Sequence, residues 1–129
     1  MKRYLIDSHV LVWLIMQSQL VGDETKKMLT GDDAIVYVSV VSFWELELKH
    51  QKGKFPHSFS HMQKGAEALG VRHLDLSLHH IAAHAEQSYS HNDPFDVLLL
   101  AQARADNMTF LTADKAVLAC EPAALDART

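Results

Sequence analysis

The stretch AIVYVSV, residues 34–40, constrains the fold more than any other part of the chain. A strand with one wet face alternates apolar and polar residues, and this one does not, so both of its faces call for cover. Helices on each side of a sheet supply that cover. The flanking sequence agrees. KRYLI is a short strand ending at Asp7, VRHLDL and MTFLTAD read as further strands, and EPAALDA reads as a last edge strand. Helical patterns lie between them: VLVWLIMQ after Ser8 as cap, DETKKML opened by Asp23 and Glu24 and closed by Gly31, and SFWELELKHQ capped by Ser42. Glu45 stands three residues after Ser42 as its capping-box partner. GKFP breaks that helix, and SFSHMQKGAEAL follows, ending at Gly70. Ser77 caps LHHIAAHAEQ, Asp93 caps PFDVLLLAQARAD with Pro94 at the favoured first position, and DKAVLAC is short. Strands alternating with helices predict an α/β domain around a parallel sheet covered on both faces.

The chain has 129 residues, enough for one domain spanning 1–129 and too few for two. Its single cysteine, Cys120, excludes an internal disulfide. The apolar N-terminus is interrupted by Asp7, Ser8 and His9, with no small-residue cleavage site after it, so it reads as fold rather than signal peptide. No run approaches ~20 apolar residues, so no membrane span is expected, and a soluble cytoplasmic protein fits. Net charge is -4 with histidines neutral. Nucleic-acid binders usually carry a basic surface, so contact with nucleic acid here requires local positive charge or bound cations.

Four acids fall at corresponding places. Asp7 and Asp114 directly follow strands, while Glu45 and Asp96 fall in the first turns of helices. Ligand sites in open α/β sheets lie outside the carboxyl ends of the strands, where all four are expected. Singly, each reads as an ordinary cap or helix-dipole partner worth about 0.3–1 kcal/mol. Together they are harder to explain, because two carboxylates about 5 Å apart repel by roughly 3 kcal/mol at an effective dielectric near 20. A cluster of hard oxygen ligands suits Mg²⁺ or Mn²⁺, and such ions support phosphodiester hydrolysis. Ser8 and Thr112, beside two of these acids, either orient carboxylates or cap helices. Lys49 and Lys54, beyond Glu45, either meet phosphates of a ligand or stay solvated. His57/His61 and His80/His84 have helical i, i+4 spacing, but no H-E-x-x-H occurs and Cys120 has no partner, so no zinc site is expected. His91 precedes the acidic segment, and Trp13 and Trp44 fall inside apolar helical patterns that suit packing.

YLIDSHVLVW, VSFWELELKHQKGKF, HNDPFDVLLLAQA and FLTAD, in this order and spacing, resemble the PIN-domain family, most closely the VapC-type toxic ribonucleases of toxin–antitoxin pairs. The resemblance implies a three-layer α/β/α fold with a central parallel sheet and Mg²⁺- or Mn²⁺-dependent cleavage of RNA. The family's acidic tetrad maps onto Asp7, Glu45, Asp96 and Asp114. Asp93 belongs to the DPFD wording of one subgroup and is a cap, an outer ligand or both. Ser8 stands where threonine is common, and the chain past Asp114 matches weakly. The resemblance also implies an antitoxin partner, homodimers, and RNA as substrate, with transfer RNA the family-level expectation. The alternative within the family is a catalytically inactive domain acting as a binding module. Outside it, a haloacid-dehalogenase-like phosphatase wants D-x-D where position 9 is His, and a receiver domain wants a lysine after its last strand that is not found.

Overall fold

A computed structural model describes residues 1–87 and 93–129, and the reading of His91 lies outside them. Among the described residues, five strands form one parallel sheet: β1 (Lys2–Ile6), β2 (Ala34–Ser39), β3 (Arg72–Leu74), β4 (Thr109–Thr112) and β5 (Leu125–Asp126), in the order β3-β2-β1-β4-β5. Tyr4 and Ile6 stand beside Val36 and Val38, and Ile6 beside Leu111. The pleat sends alternate residues to opposite faces. Tyr4, Ile6, Val36, Val38 and Leu111 enter one core cluster, and Leu5 and Phe110 the other.

Helices cover both faces. On one side α1 (Ser8–Ile15) and α4 (Phe59–Ala68) contribute Val10, Leu11, Met62 and Ala66. On the other, α6 (Pro94–Ala105) and α7 (Lys115–Cys120) contribute Leu99, Leu100, Ala103 and Val117. The helix α3 (Val40–Gln51) serves both, with Phe43 and Leu46 in the first cluster and Val41 in the second. The remaining helices are α2 (Asp23–Leu29) and α5 (Leu78–Glu86). A Cβ added at Gly65 of α4 would stand 2.9 Å from the Ile15 side chain, so this glycine lets α1 and α4 approach closely. The expected three-layer α/β/α architecture is the one observed.

Two helix starts differ from the sequence reading. Asp7, not Ser8, caps α1, its Oδ1 accepting the Val10 amide at 2.9 Å, and Ser8 is the first helical residue. Ser39, not Ser42, caps α3, its hydroxyl accepting the Val41 amide at 3.0 Å. Val40 and Val41 look like strand, but β2 has lost its β1 partner after Val38, and the chain turns into helix there. Glu45 therefore occupies the second turn of α3, not the first. Ser42 is buried inside the helix and its hydroxyl has no hydrogen-bond partner among the described residues. Asp93 and Pro94 behave as read: Asp93 accepts the Phe95 and Asp96 amides at 2.9 and 3.2 Å.

Two buried polar side chains tie the layers together. The amide oxygen of fully buried Gln102 accepts the Ser39 hydroxyl at 2.6 Å, joining α6 to the end of β2. His80, 1% exposed, lies with Nε2 2.9 Å from Asp106 Oδ2, and His79 Nε2 lies 2.6 Å from the other oxygen. Asp106 caps the end of α6, so this pair clamps α5 to it. Burial pushes the Asp106 carboxyl upward, but hydrogen bonds and charge from His79 and His80 outweigh it and the net displacement is downward.

Gln102→Leu leaves the buried Ser39 hydroxyl without its acceptor and is expected to cost about 1–3 kcal/mol in urea unfolding. Adding Ser39→Ala should not recover the loss, because it also removes the hydroxyl that accepts the Val41 amide at the start of α3. A carboxyl depressed in the folded state contributes stability above its unfolded-state value, and loses it as pH falls through the folded-state one. Asp106→Asn should therefore lower the urea midpoint near neutrality and flatten its acid limb.

Candidate functional site

In this strand order, the connections from β1 and from β4 leave toward opposite edges of the sheet. A crevice opens between their carboxyl ends. Asp7 occupies that point. Its amide donates to the Leu111 carbonyl at 3.1 Å, extending the sheet by one bond, and its side chain then turns into the crevice rim at 3% exposure. Oδ1 caps α1, and Oδ2 accepts a hydrogen bond from the Thr112 hydroxyl. The Thr112 oxygen in turn accepts the Asp114 amide at 3.1 Å. Asp114 caps α7, its Oδ1 accepting the Ala116 and Val117 amides at 2.8 and 3.2 Å.

A second hydrogen-bonded chain starts one residue after Asp7. The buried Ser8 hydroxyl donates to Glu45 Oε1 at 3.0 Å, and Lys49 Nζ lies 3.3 Å from Glu45 Oε2. Ser8 and Thr112 thus each hold a carboxylate while neither caps a helix. Burial lifts the Asp7 carboxyl above the ordinary aspartate range. Hydrogen bonds from Thr112 and Val10 and the nearby His9 pull it back, and the negative charge of Glu45 adds to the rise.

Asp96 is half-buried at the third position of α6. Asp93, one turn earlier, is exposed and lines a cavity of about 280 Å³ together with Glu45, Lys49, Lys54 and Phe95. Lys52 lines it too and was missed by the sequence reading, although it is the end cap of the same helix.

Asp7, Glu45, Thr112 and Asp114 are thus linked, but no three of the four predicted acids have ligand oxygens within 4.8 Å of one another. Among the described residues, the set that does meet this distance is His79, His80 and Asp106. Its chemistry is that of an ion-pair clamp: His80 Nδ1 accepts the Ser77 amide at 3.1 Å, which puts the ring proton on Nε2 facing Asp106. His80 finds its partner there, 26 residues away, where no local pattern could reveal it. His57 and His61 stack with ring centroids 4.7 Å apart. Trp44 is not core: it is 60% exposed and packs on Phe95 at 5.5 Å.

A doubly wound parallel sheet with buried acids at its carboxyl edge defines a class of α/β domain built to hold charge at that edge. The sequence matches the family described as PIN domain over residues 4–119, and the chain belongs to that family. Among solved structures it is similar to DNA-bound VapBC from Salmonella typhimurium, at 15% identity and TM-score 0.68 over 98% of this chain and 99% of that one. It is also similar to VapBC2 from Rickettsia felis bound to a promoter fragment, at 15% and 0.67 over 96% of each chain. A toxin–antitoxin complex from Klebsiella pneumoniae matches at 18% and 0.63, over 96% of this chain and 97% of that one. A comparison with curated protein sequences finds no match. No helix among the described residues is long and apolar enough to cross a membrane.

Asp7→Asn keeps a capping oxygen while removing a buried charge that Glu45 opposes. It is expected to raise the melting temperature in chelator, and the gain should shrink when Mg²⁺ is added.

Proposed function

We propose that this single domain, residues 1–129, is the toxin of a toxin–antitoxin pair and an endoribonuclease dependent on Mg²⁺ or Mn²⁺. The observation that carries the reading is the buried Asp7 carboxylate held within reach of Glu45's charge at the carboxyl end of the central strand. Hard oxygen donors with opposed charges fit a hard divalent ion. Asp7 and Asp96 would hold it directly, with Glu45 and Asp114 acting through water or toward a second ion. When bound, such an ion supplies positive charge for a phosphodiester and an acidified water.

The chain's own residues do the rest. The Thr112 hydroxyl fixes the rotamer of Asp7, and Ser8 fixes that of Glu45, so both carboxylates are oriented before substrate arrives. Lys49 balances Glu45 in the free protein, and with Lys54 it offers ammonium groups to RNA phosphates. Hydrolysis by water leaves 5′-phosphate and 3′-hydroxyl ends without recruiting a 2′-hydroxyl as nucleophile. In this reading an antitoxin covers the edge, the toxin forms a homodimer in the cytoplasm, and transfer RNA is the first substrate to try.

Purified protein incubated with mixed RNA should cleave it in Mg²⁺ or Mn²⁺ and stop in excess EDTA. Asp96→Asn should lower cleavage by at least 10²-fold while leaving the fold intact by circular dichroism. Sequencing of RNA 5′ ends after brief induction, with Asp7→Ala as control, identifies the cut site. Undiminished cleavage in EDTA or by Asp96→Asn sinks the assignment, and RNA binding without cleavage favours the inactive binding module.

A further inference from the structure

The cavity of about 280 Å³ beside Glu45 combines three ammonium groups and one aromatic wall with two carboxylates, Glu45 paired with Lys49 and Asp93 capping α6, and helix-end geometry explains how the ammonium groups converge. At the end of α3 the Gly53 amide donates to the His50 carbonyl at 3.0 Å and the Lys54 amide to the Lys49 carbonyl at 2.8 Å. This is the Schellman pattern, and it needs a left-handed residue, which Gly53 supplies with φ of +72°. The turn folds the backbone of Lys54 against that of Lys49, one helical turn from Glu45. Lys49 spends its charge on Glu45, whereas Lys52 and Lys54 are exposed and pair with no carboxylate among the described residues. Across the cavity Phe95 at the start of α6 presents a half-buried ring backed by Trp44.

We infer that this cavity is a nucleotide subsite for single-stranded RNA, receiving the residue next to the cleaved bond. Phe95 stacks the base, and Lys52 and Lys54 hold its flanking phosphates. An aromatic wall with unpaired ammonium groups suits single-stranded nucleic acid, which proteins bind by stacking and backbone charge. An acidic peptide would use the charges and leave the ring idle. The inference rests on the nuclease reading for what lies next door, and adds the residues that select and seat the substrate.

The test uses the full chain carrying Asp7→Asn, so that RNA survives, and a fluorescent 12-nucleotide mixed-sequence RNA as probe. Anisotropy titrations are run over a series of salt concentrations. Lys52→Ala with Lys54→Ala should weaken binding by about tenfold at moderate salt and reduce the slope of log K against log salt by about 1.4, two single-strand phosphate contacts. Phe95→Leu should weaken binding by roughly fivefold or more with the slope unchanged. Lys26→Ala with Lys27→Ala, on exposed α2, is the control and should change neither quantity.

No RNA binding by the Asp7→Asn chain, or a lysine pair indistinguishable from the control, overturns the subsite. Equal binding of a glutamate-rich peptide with no loss in Phe95→Leu overturns it in favour of an acidic protein partner. Because the readout is binding, the two readings separate. Cleavage by the unmodified chain with an unchanged lysine-pair slope sinks the subsite alone. Lysine-dependent binding by a chain that cuts nothing in Mg²⁺ sinks the nuclease alone.

Discussion

A buried carboxylate at the end of the central strand sets the terms for everything around it. Asp7 follows Leu5 and Ile6, both fully buried, and is itself almost as deep. Burying an ionised group is tolerable only if its lone pairs are satisfied and its charge is balanced. The structure meets the first demand with the Val10 amide and the Thr112 hydroxyl. It meets the second only in part: His9 draws the carboxyl down while Glu45 opposes it. A sequence selected for stability alone would place an asparagine or serine here, which caps a helix without the electrostatic cost. In the metal-dependent nuclease proposed above, a bound cation would offset that cost.

Much of this was legible in the chain. The unbroken apolar run of β2 gave two-sided burial, and hence helices on both faces. Asp93 and Pro94 marked the start of α6, and Asp114 that of α7, because capping is local chemistry that a few residues can specify. The positions of Asp7 and Asp114 after their strands followed from the same logic. Even the two-residue edge strand β5 was readable from EPAALDA.

What the chain concealed depends on partners distant in sequence. The choice between Ser39 and Ser42 as cap is set by where β1 stops supporting β2, not by either serine's neighbours. That shift moves Glu45 from the first turn to the second, yet it stays at the site because Ser8 reaches it. The partner of His80 lies at the far end of another helix, and the i, i+4 spacing to His84 pointed elsewhere. Trp44 sits in an apolar pattern and is nevertheless exposed, because the other face of α3 is the one turned to the cores. Lys52 was passed over because a lysine at a helix end has a sufficient local explanation.

That local explanation deserves weighing against the cavity. Lysines near a helix carbonyl end gain about 0.3–1 kcal/mol from the dipole wherever they point. The dipole therefore accounts for Lys49 and Lys52 and says nothing about Lys54, which lies beyond the helix. Lys54 returns only because Gly53 adopts a conformation that other residues avoid. Schellman turns are common, so the turn alone is no sign of function. Its placement is more informative, since it folds a positive charge back beside the helix whose Glu45 bears on Asp7. In a chain with net charge -4, this turn gathers positive charge beside the acids and offsets part of their mutual repulsion.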